Sequence, residues 1–188
     1  MLFTSGCLKK SEPPEFPAMN FNIERNLLGN KVECKEFGFS FNAPVDWNEA
    51  GKKELDDASQ ALTKTLAGKK DISINPLYIF IRSNGCVLNI ANIKLSAQQN
   101  NLKDKIKVYE SVFFGDHVPP DIKKTLYSKD GINIVQYLLQ ENRIDFRLLF
   151  ISAKGDLIQF DYLADKRNYL NEVKAIESSI GSIKLTKT

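Results

Sequence analysis

The sequence predicts an α+β domain in which a central, mainly antiparallel sheet is flanked by helices, an α/β/α sandwich. Three observations carry that expectation. Short apolar runs with strand character recur along the chain; the four runs between residues 122 and 164 are joined by links of only a few residues, too short for a parallel crossover. Amphipathic stretches of helical period sit between and after the strands.

The elements follow in order. In "FGFSFNAP" the side chains of Phe37, Phe39 and Phe41 share one face, the period of two of a half-buried strand, and Pro44 ends it. After Trp47 the period changes. In "WNEAGKKELDDASQALTKTLAGKK" Leu55, Ala58, Leu62 and Leu66 return at helical spacing, and Gly68 is placed to cap the C-terminus. Two strands are expected at "LYIFIR" and "VLNIANIKL", joined through "SNGC", whose Asn84-Gly85 is a strong hairpin signal. "SAQQNNLKDKIKVYESVFFG" then brings Leu102, Ile106, Tyr109 and Phe113 onto one helical face before Gly115. "DHVPPD" breaks the chain. Strands at "IKKTLYS", "INIVQYLLQ", "DFRLLFIS" and "LIQFDYLA", linked by "KDG", "ENR" and "AKGD", form a meander, and a last helix over residues 166–183 turns Tyr169, Val173, Ile176 and Ile180 inward. The strongly apolar "YIFI" and "RLLFI" imply that helices cover much of the sheet.

A chain of 188 residues with 43% hydrophobic and 26% charged residues suits one globular domain. Its 26 basic and 23 acidic residues are interspersed, with no basic run dense enough to track a phosphate backbone, so no nucleic-acid partner is expected. The twelve Phe, six Tyr and single Trp fall mostly in periodic stretches and read as core. No run approaches the roughly 18–20 apolar residues of a spanning helix.

The opening "MLFTSGCLKKSEPPEFP" carries a different signal. "FTSGC" resembles the end of a bacterial lipoprotein signal, in which small residues precede a cysteine that is lipidated and becomes the mature N-terminus. Ser5 and Gly6 would let a signal peptidase approach the backbone, and the Cys7 thiol would form a thioether to diacylglycerol. Thr4 stands where leucine is usual, and Met1-Leu2-Phe3 looks like the tail of a longer apolar segment. The charged stretch that follows, with Pro13, Pro14 and Pro17, has the composition of an extended tether. The expected organisation is a signal remnant over residues 1–7 with lipidated Cys7, a flexible tether over 8–20 and one globular domain over 21–188. A membrane, reached through the lipid anchor, is the partner this implies, and the cell envelope the location. Cys34 and Cys86 form an even pair that an oxidising compartment could bridge, two buried free thiols being the alternative.

The opening aromatic strand ending "FNAPVDW", the hairpin "VQYLLQENRIDFRLLFIS", the strand "LIQFDYLA" and the closing "YLNEVKAIESSIGSIKL" together resemble the PsbP/Mog-like superfamily over about residues 36–185. The resemblance implies its fold. It includes photosystem accessory proteins, a nuclear Ran-binding protein, DcrB-like bacterial lipoproteins and chaperones of secreted toxins, most of them protein-binding modules. Cys7 brings the lipoprotein branch closest in kind.

Residue chemistry offers little for catalysis. The lone His117, between Asp116 and Asp121 in "GDHVPPD", has no second histidine to share a metal, and no nucleophile turn, P-loop or GxGxxG occurs. Glu54, Asp56 and Asp57, like Lys52, Lys53, Lys64, Lys69 and Lys70, read as the solvated side of a helix and its end. No enzyme activity, metal or cofactor is expected. The loop "FFGDHVPPD", with Phe114, Asp116, His117, Pro119 and Pro120, is the candidate contact with another protein; the alternative is that Phe113 and Phe114 finish the helix in the core. The functional expectation is an anchored accessory or assembly module that binds an unknown envelope protein. Its alternative is a soluble domain that binds a small ligand in a cleft of the sheet.

Overall fold

Alternating apolar side chains make strands wherever they recur, and the computed structural model, which describes residues 14–69, 71–96, 101–140 and 142–186, contains one large and one small sheet. The large sheet is antiparallel throughout. Its seven strands run in the order β3 (Asn48–Glu49), β4 (Ile72–Ile81), β5 (Val87–Leu95), β9 (Leu157–Asp165), β8 (Arg143–Ile151), β7 (Ile132–Gln140), β6 (Lys123–Lys129). The last four are the expected meander. The β4–β5 hairpin joins it through a long-range pairing that runs from Val87 opposite Leu163 to Ile93 opposite Leu157.

Both faces of this sheet are apolar, so each needs a cover. Helices α1 (Lys52–Thr65) and α2 (Leu102–Phe113) lie over one face, where Leu102, Ile106 and Tyr109 pack with Val135, Leu149 and Leu157. The other face meets α3 (Tyr169–Ser182) and a three-stranded sheet of order β1 (Leu28–Cys34), β2 (Phe39–Pro44), β10 (Lys184–Leu185). The central antiparallel sheet flanked by helices is therefore present, with a small second sheet added to one layer.

The second sheet changes the reading of the aromatic strand. β2 is not half-buried: five of its six residues are buried, Phe39 and Phe41 completely. Phe41 stands 5.1 Å from Phe160 and 5.9 Å from Phe80, ring centre to ring centre, so it is driven into the large sheet. The opposite side of β2 is covered by α3. Beyond the short β10, the main chain of Asn42 has no strand neighbour on that edge, and serines take the strand's place: Asn42 N–H donates to Ser182 Oγ at 2.8 Å, and Ser179 Oγ donates to Asn42 C=O at 2.6 Å. Ser178 Oγ accepts from Glu24 N–H at 3.1 Å, so Ser178, Ser179 and Ser182 are all buried on a helix with their hydroxyls hydrogen-bonded.

Two further elements differ from expectation. β4 begins five residues before "LYIFIR" and runs through Pro76, which the ladder accommodates with a bulge between Pro76 and Tyr78. Residues 14–20, expected within a free tether, are docked: Ser128 N–H donates to Pro17 C=O at 2.9 Å, Met19 N–H donates to Ser128 C=O at 2.8 Å, and Glu15 pairs with Lys103. Phe16 packs against the core under α2, and Phe21 lies 5.8 Å from Tyr127. Those two aromatics supply the apolar surface that a tether lacks.

Gly181 on α3 makes room for the same N-terminal segment. A Cβ there would stand 2.8 Å from both Phe21 Cβ and Ile23 Cγ1. Gly181→Ala is therefore expected to destabilise by about 1–3 kcal/mol through overpacking, although alanine itself favours a helix by about 1 kcal/mol. A urea midpoint above that of the wild type would show that residues 21–23 yield freely.

Candidate functional site

Strand periodicity places Asp145 and Arg147 of β8 and Gln159 and Asp161 of β9 on the sheet face under α1 and α2, where water is largely excluded. Arg147 lies directly opposite Asp161 in the ladder, and Asn89 of β5 lies opposite Asp161 on its other side. Arg147 is held on three sides. Its Nε donates to Asp161 Oδ1 at 2.8 Å, Nη2 to Asp145 Oδ2 at 3.0 Å and Nη1 to the Tyr109 hydroxyl of α2 at 3.2 Å. Gln159 Nε2 donates to Asp161 Oδ2 at 2.6 Å.

The network is electrostatically uneven. Two carboxylates face one guanidinium, and Asp145 is 7% exposed, Gln159 7% and Asp161 9%. Burial first, then the charge of Asp161, pushes the Asp145 carboxyl up to about 7 against the opposing pull of Arg147. The same carboxylates hold Arg147 firmly protonated. Asp145 Oδ1 and Gln159 Oε1 are buried oxygens without a hydrogen-bond partner among the described residues, which is uncommon in a folded interior.

Beside this network is a cavity of about 240 Å³ between α1 and the sheet. Leu62, Ile74, Pro76 and Ile79 make its apolar walls, and Gln159 and Asp161 its polar floor. Leu55, Ala58 and Leu62 of α1 are half-buried against the sheet, and Ala58, Ala61 and Leu62 line the cavity.

A second buried charge lies at the other layer. Glu172, 1% exposed at the start of α3, accepts from Arg82, from Asn84 Nδ2 at 2.9 Å and from Trp47 Nε1 at 3.4 Å. The Asn84-Gly85 turn is thus tied to α3, and its polar groups are matched to one another. It is a structural latch.

The residues singled out from sequence are dispersed. Cys7 lies outside the described residues. Cys34 and Cys86 are not bridged; each is a buried free thiol pushed up by burial, the alternative considered alongside a disulfide. Phe114 is half-buried, with its ring 5.3 Å from that of Tyr137 in the core under α2, so it finishes the helix and does not project. Asp116, His117 and Pro120 are exposed and Pro119 is half-buried. Among the described residues no three His, Cys, Asp or Glu side chains gather as metal ligands would, and no helix is long and apolar enough to cross a membrane.

Sequence reasoning missed the Asp145–Arg147–Gln159–Asp161 network. Its signal was present as Asp-x-Arg and Gln-x-Asp inside two strands, "RIDFRLLFIS" and "LIQFDYLA". Polar residues at alternate positions usually mean a solvated face, and only the cover supplied by α1 and α2 buries Asp145, Gln159 and Asp161 and half-buries Arg147.

No family model matches the chain, and no curated protein matches it. Among solved structures it is similar to the solution structure of cyanobacterial PsbP (CyanoP) from Synechocystis sp. PCC 6803, with a TM-score of 0.51 and 14% identity over 83% of this chain and 91% of that one. At that identity the likeness speaks for architecture alone. The mixed α and β chain, with its large antiparallel sheet and three helices, has a PsbP-like fold.

Proposed function

We propose that this chain is a membrane-anchored bacterial lipoprotein whose PsbP-like domain binds another protein of the cell envelope or assists its assembly. The observation that carries the reading is where the N-terminal segment joins the domain. Glu15 to Met19 are laid against α2 and β6, so an acyl anchor on Cys7 leaves only residues 8–14 to reach the membrane. Seven residues span at most about 25 Å. Such a leash holds the domain beside the headgroups, where it meets membrane proteins and not distant soluble ones. The superfamily resemblance of residues 36–185 supports the binding role.

The test is the intact mass and location of the protein in its native host. The expected wild-type species begins at Cys7, is heavier by a diacylglycerol and sediments with membranes, whereas Cys7→Ser is soluble and unmodified. An unmodified wild-type chain confined to the soluble fraction overturns the anchor.

A further inference from the structure

We propose that the outer face of the small sheet docks on anionic phospholipid head groups, with Arg25 and Lys184 meeting the phosphates and Ile23 entering the interface beside them. The inference rests on the anchored reading, which supplies the nearness of the surface, and adds the side on which the domain lies.

Alternation along β2 turns Ser40 and Asn42 away from the core-facing Phe39 and Phe41. Over them, beside α3, is an open groove of about 530 Å³. Three cations line it, Arg25 just before β1, Lys31 of β1 and Lys184 of β10, and no acidic side chain does. Lys31 stands opposite Asn42 and Lys184 opposite Ser40 in the two ladders, so the lysines flank β2. Acids on the neighbouring segments are engaged: Glu33 pairs with Lys31 at 2.7 Å, Glu24 with Lys174 at 3.8 Å and Asp130 with Lys129 at 2.8 Å. Among the described residues neither Arg25 nor Lys184 has an ion-pair partner, and both are exposed. They are the cations left to attract an anion.

The floor of the groove favours a surface over a free anion. Asn42 Nδ2 already donates to Gly29 C=O at 2.9 Å, Asn42 N–H to Ser182 Oγ at 2.8 Å and the Ser182 hydroxyl to Ser179 C=O at 2.6 Å, while Ser40 is only 2% exposed. A single phosphate gains attraction from the rim but no set of directed donors from the floor, so it binds weakly. An array of head groups presents many charges at once, and each cation close to an anionic leaflet strengthens binding about five-fold. Two such cations give about thirty-fold, too little to keep an unanchored chain on membranes but enough to orient one that a leash of at most about 25 Å holds at the surface. Ile23, 41% exposed, lines the groove with them and sets an apolar side chain beside the charges, as interfacial segments do.

The experiment titrates the isotopically labelled full chain carrying Cys7→Ser, in low salt, with phosphatidylcholine bicelles that contain or lack phosphatidylglycerol, and separately with glycerol 3-phosphate, following amide chemical shifts. Phosphatidylglycerol bicelles are expected to give saturable shifts confined to residues 23–31, 40–42 and 182–185 and reversed by salt. Plain phosphatidylcholine bicelles, and glycerol 3-phosphate at the same phosphate concentration, are expected to give none. Arg25→Gln with Lys184→Gln should weaken binding to the anionic bicelles about ten-fold or more. Lys52→Gln with Lys53→Gln removes the same charge from α1, on the far layer of the sheet, and should leave that binding within about two-fold of the unsubstituted chain. All four side chains are exposed, so both pairs are expected to melt as the unsubstituted chain does. Equal loss with the two pairs, shifts centred elsewhere, saturation by glycerol 3-phosphate, or no response to phosphatidylglycerol would each overturn the proposal. Those outcomes leave the anchor untouched, because the titrated chain carries none; the anchor stands or falls on the mass of the native protein.

Discussion

Arg147→Met is expected to lower stability by about 3–5 kcal/mol above pH 7, because it leaves two buried carboxylates without their counter-ion. For a chain of this size that is a fall in melting temperature of roughly 6–20 °C. The loss should shrink in acid, and the sign follows from linkage. Asp145 has its folded-state value pushed up to about 7, above the roughly 3.9 of an unfolded aspartate. A group shifted this way stabilises fully below its unfolded value, and that contribution is lost as the pH rises through the folded value. Burial sets it first, then the charge of Asp161 from β9, both opposed by Arg147 on its own strand; the Tyr109 hydroxyl of α2 holds Arg147, and Arg143 borders the same open groove. Removing the guanidinium takes away the one influence that lowers the Asp145 carboxyl and so raises it further, and urea unfolding at pH 5 should show a smaller deficit than at pH 8. Asp145→Asn is the control. It removes the titrating group while keeping an acceptor for Arg147, and should flatten the pH dependence between about pH 4 and 7. Equal deficits of Arg147→Met at both pH values would mean that the network is solvated in solution and does not have the buried character described above.

Phe41→Ala is expected to cost about 3–5 kcal/mol, with the same scale of fall in melting temperature. Its ring is completely buried and touches four others, those of Phe39, Tyr78, Phe80 and Phe160, at centre separations of 5.1–6.3 Å. These rings belong to both sheets, so the cavity opens between two layers. Neither can close over it, since β2 is held from behind by the Ser179 and Ser182 hydroxyls. A loss below about 2 kcal/mol, measured by urea unfolding, would show that the small sheet follows the collapse and is only loosely fastened.

Most of the large sheet was legible because each strand carries its own signal. The segments from "IKKTLYS" to "LIQFDYLA" alternate or run apolar, and their links are short, so a meander is the economical pairing. The helices were legible for the same local reason, with α2 and α3 falling inside the expected stretches. β1 was not, because "LGNKVEC" is diluted by glycine, asparagine and lysine and gains its strand state from pairing with β2. β10, two residues long, exists only as a partner of β2.

The candidate site was illegible for a stronger reason. Each of its residues is ordinary in its own strand: Asp145 and Arg147 could be the wet side of β8, and Gln159 and Asp161 the wet side of β9. Their chemistry comes from being set side by side across the ladder and then covered by helices that lie 30 or more residues away in the chain. Local periodicity by itself determined the fold class, the meander, the three helices and the core aromatics, since these depend on which side chains share one face of one element. Tertiary structure alone decided that the aromatic strand lies in a separate sheet, that residues 14–20 are docked, and that Asp145, Gln159 and Asp161 are buried around Arg147 on one sheet face, because burial is a property of what packs on a face and no single segment encodes its own cover.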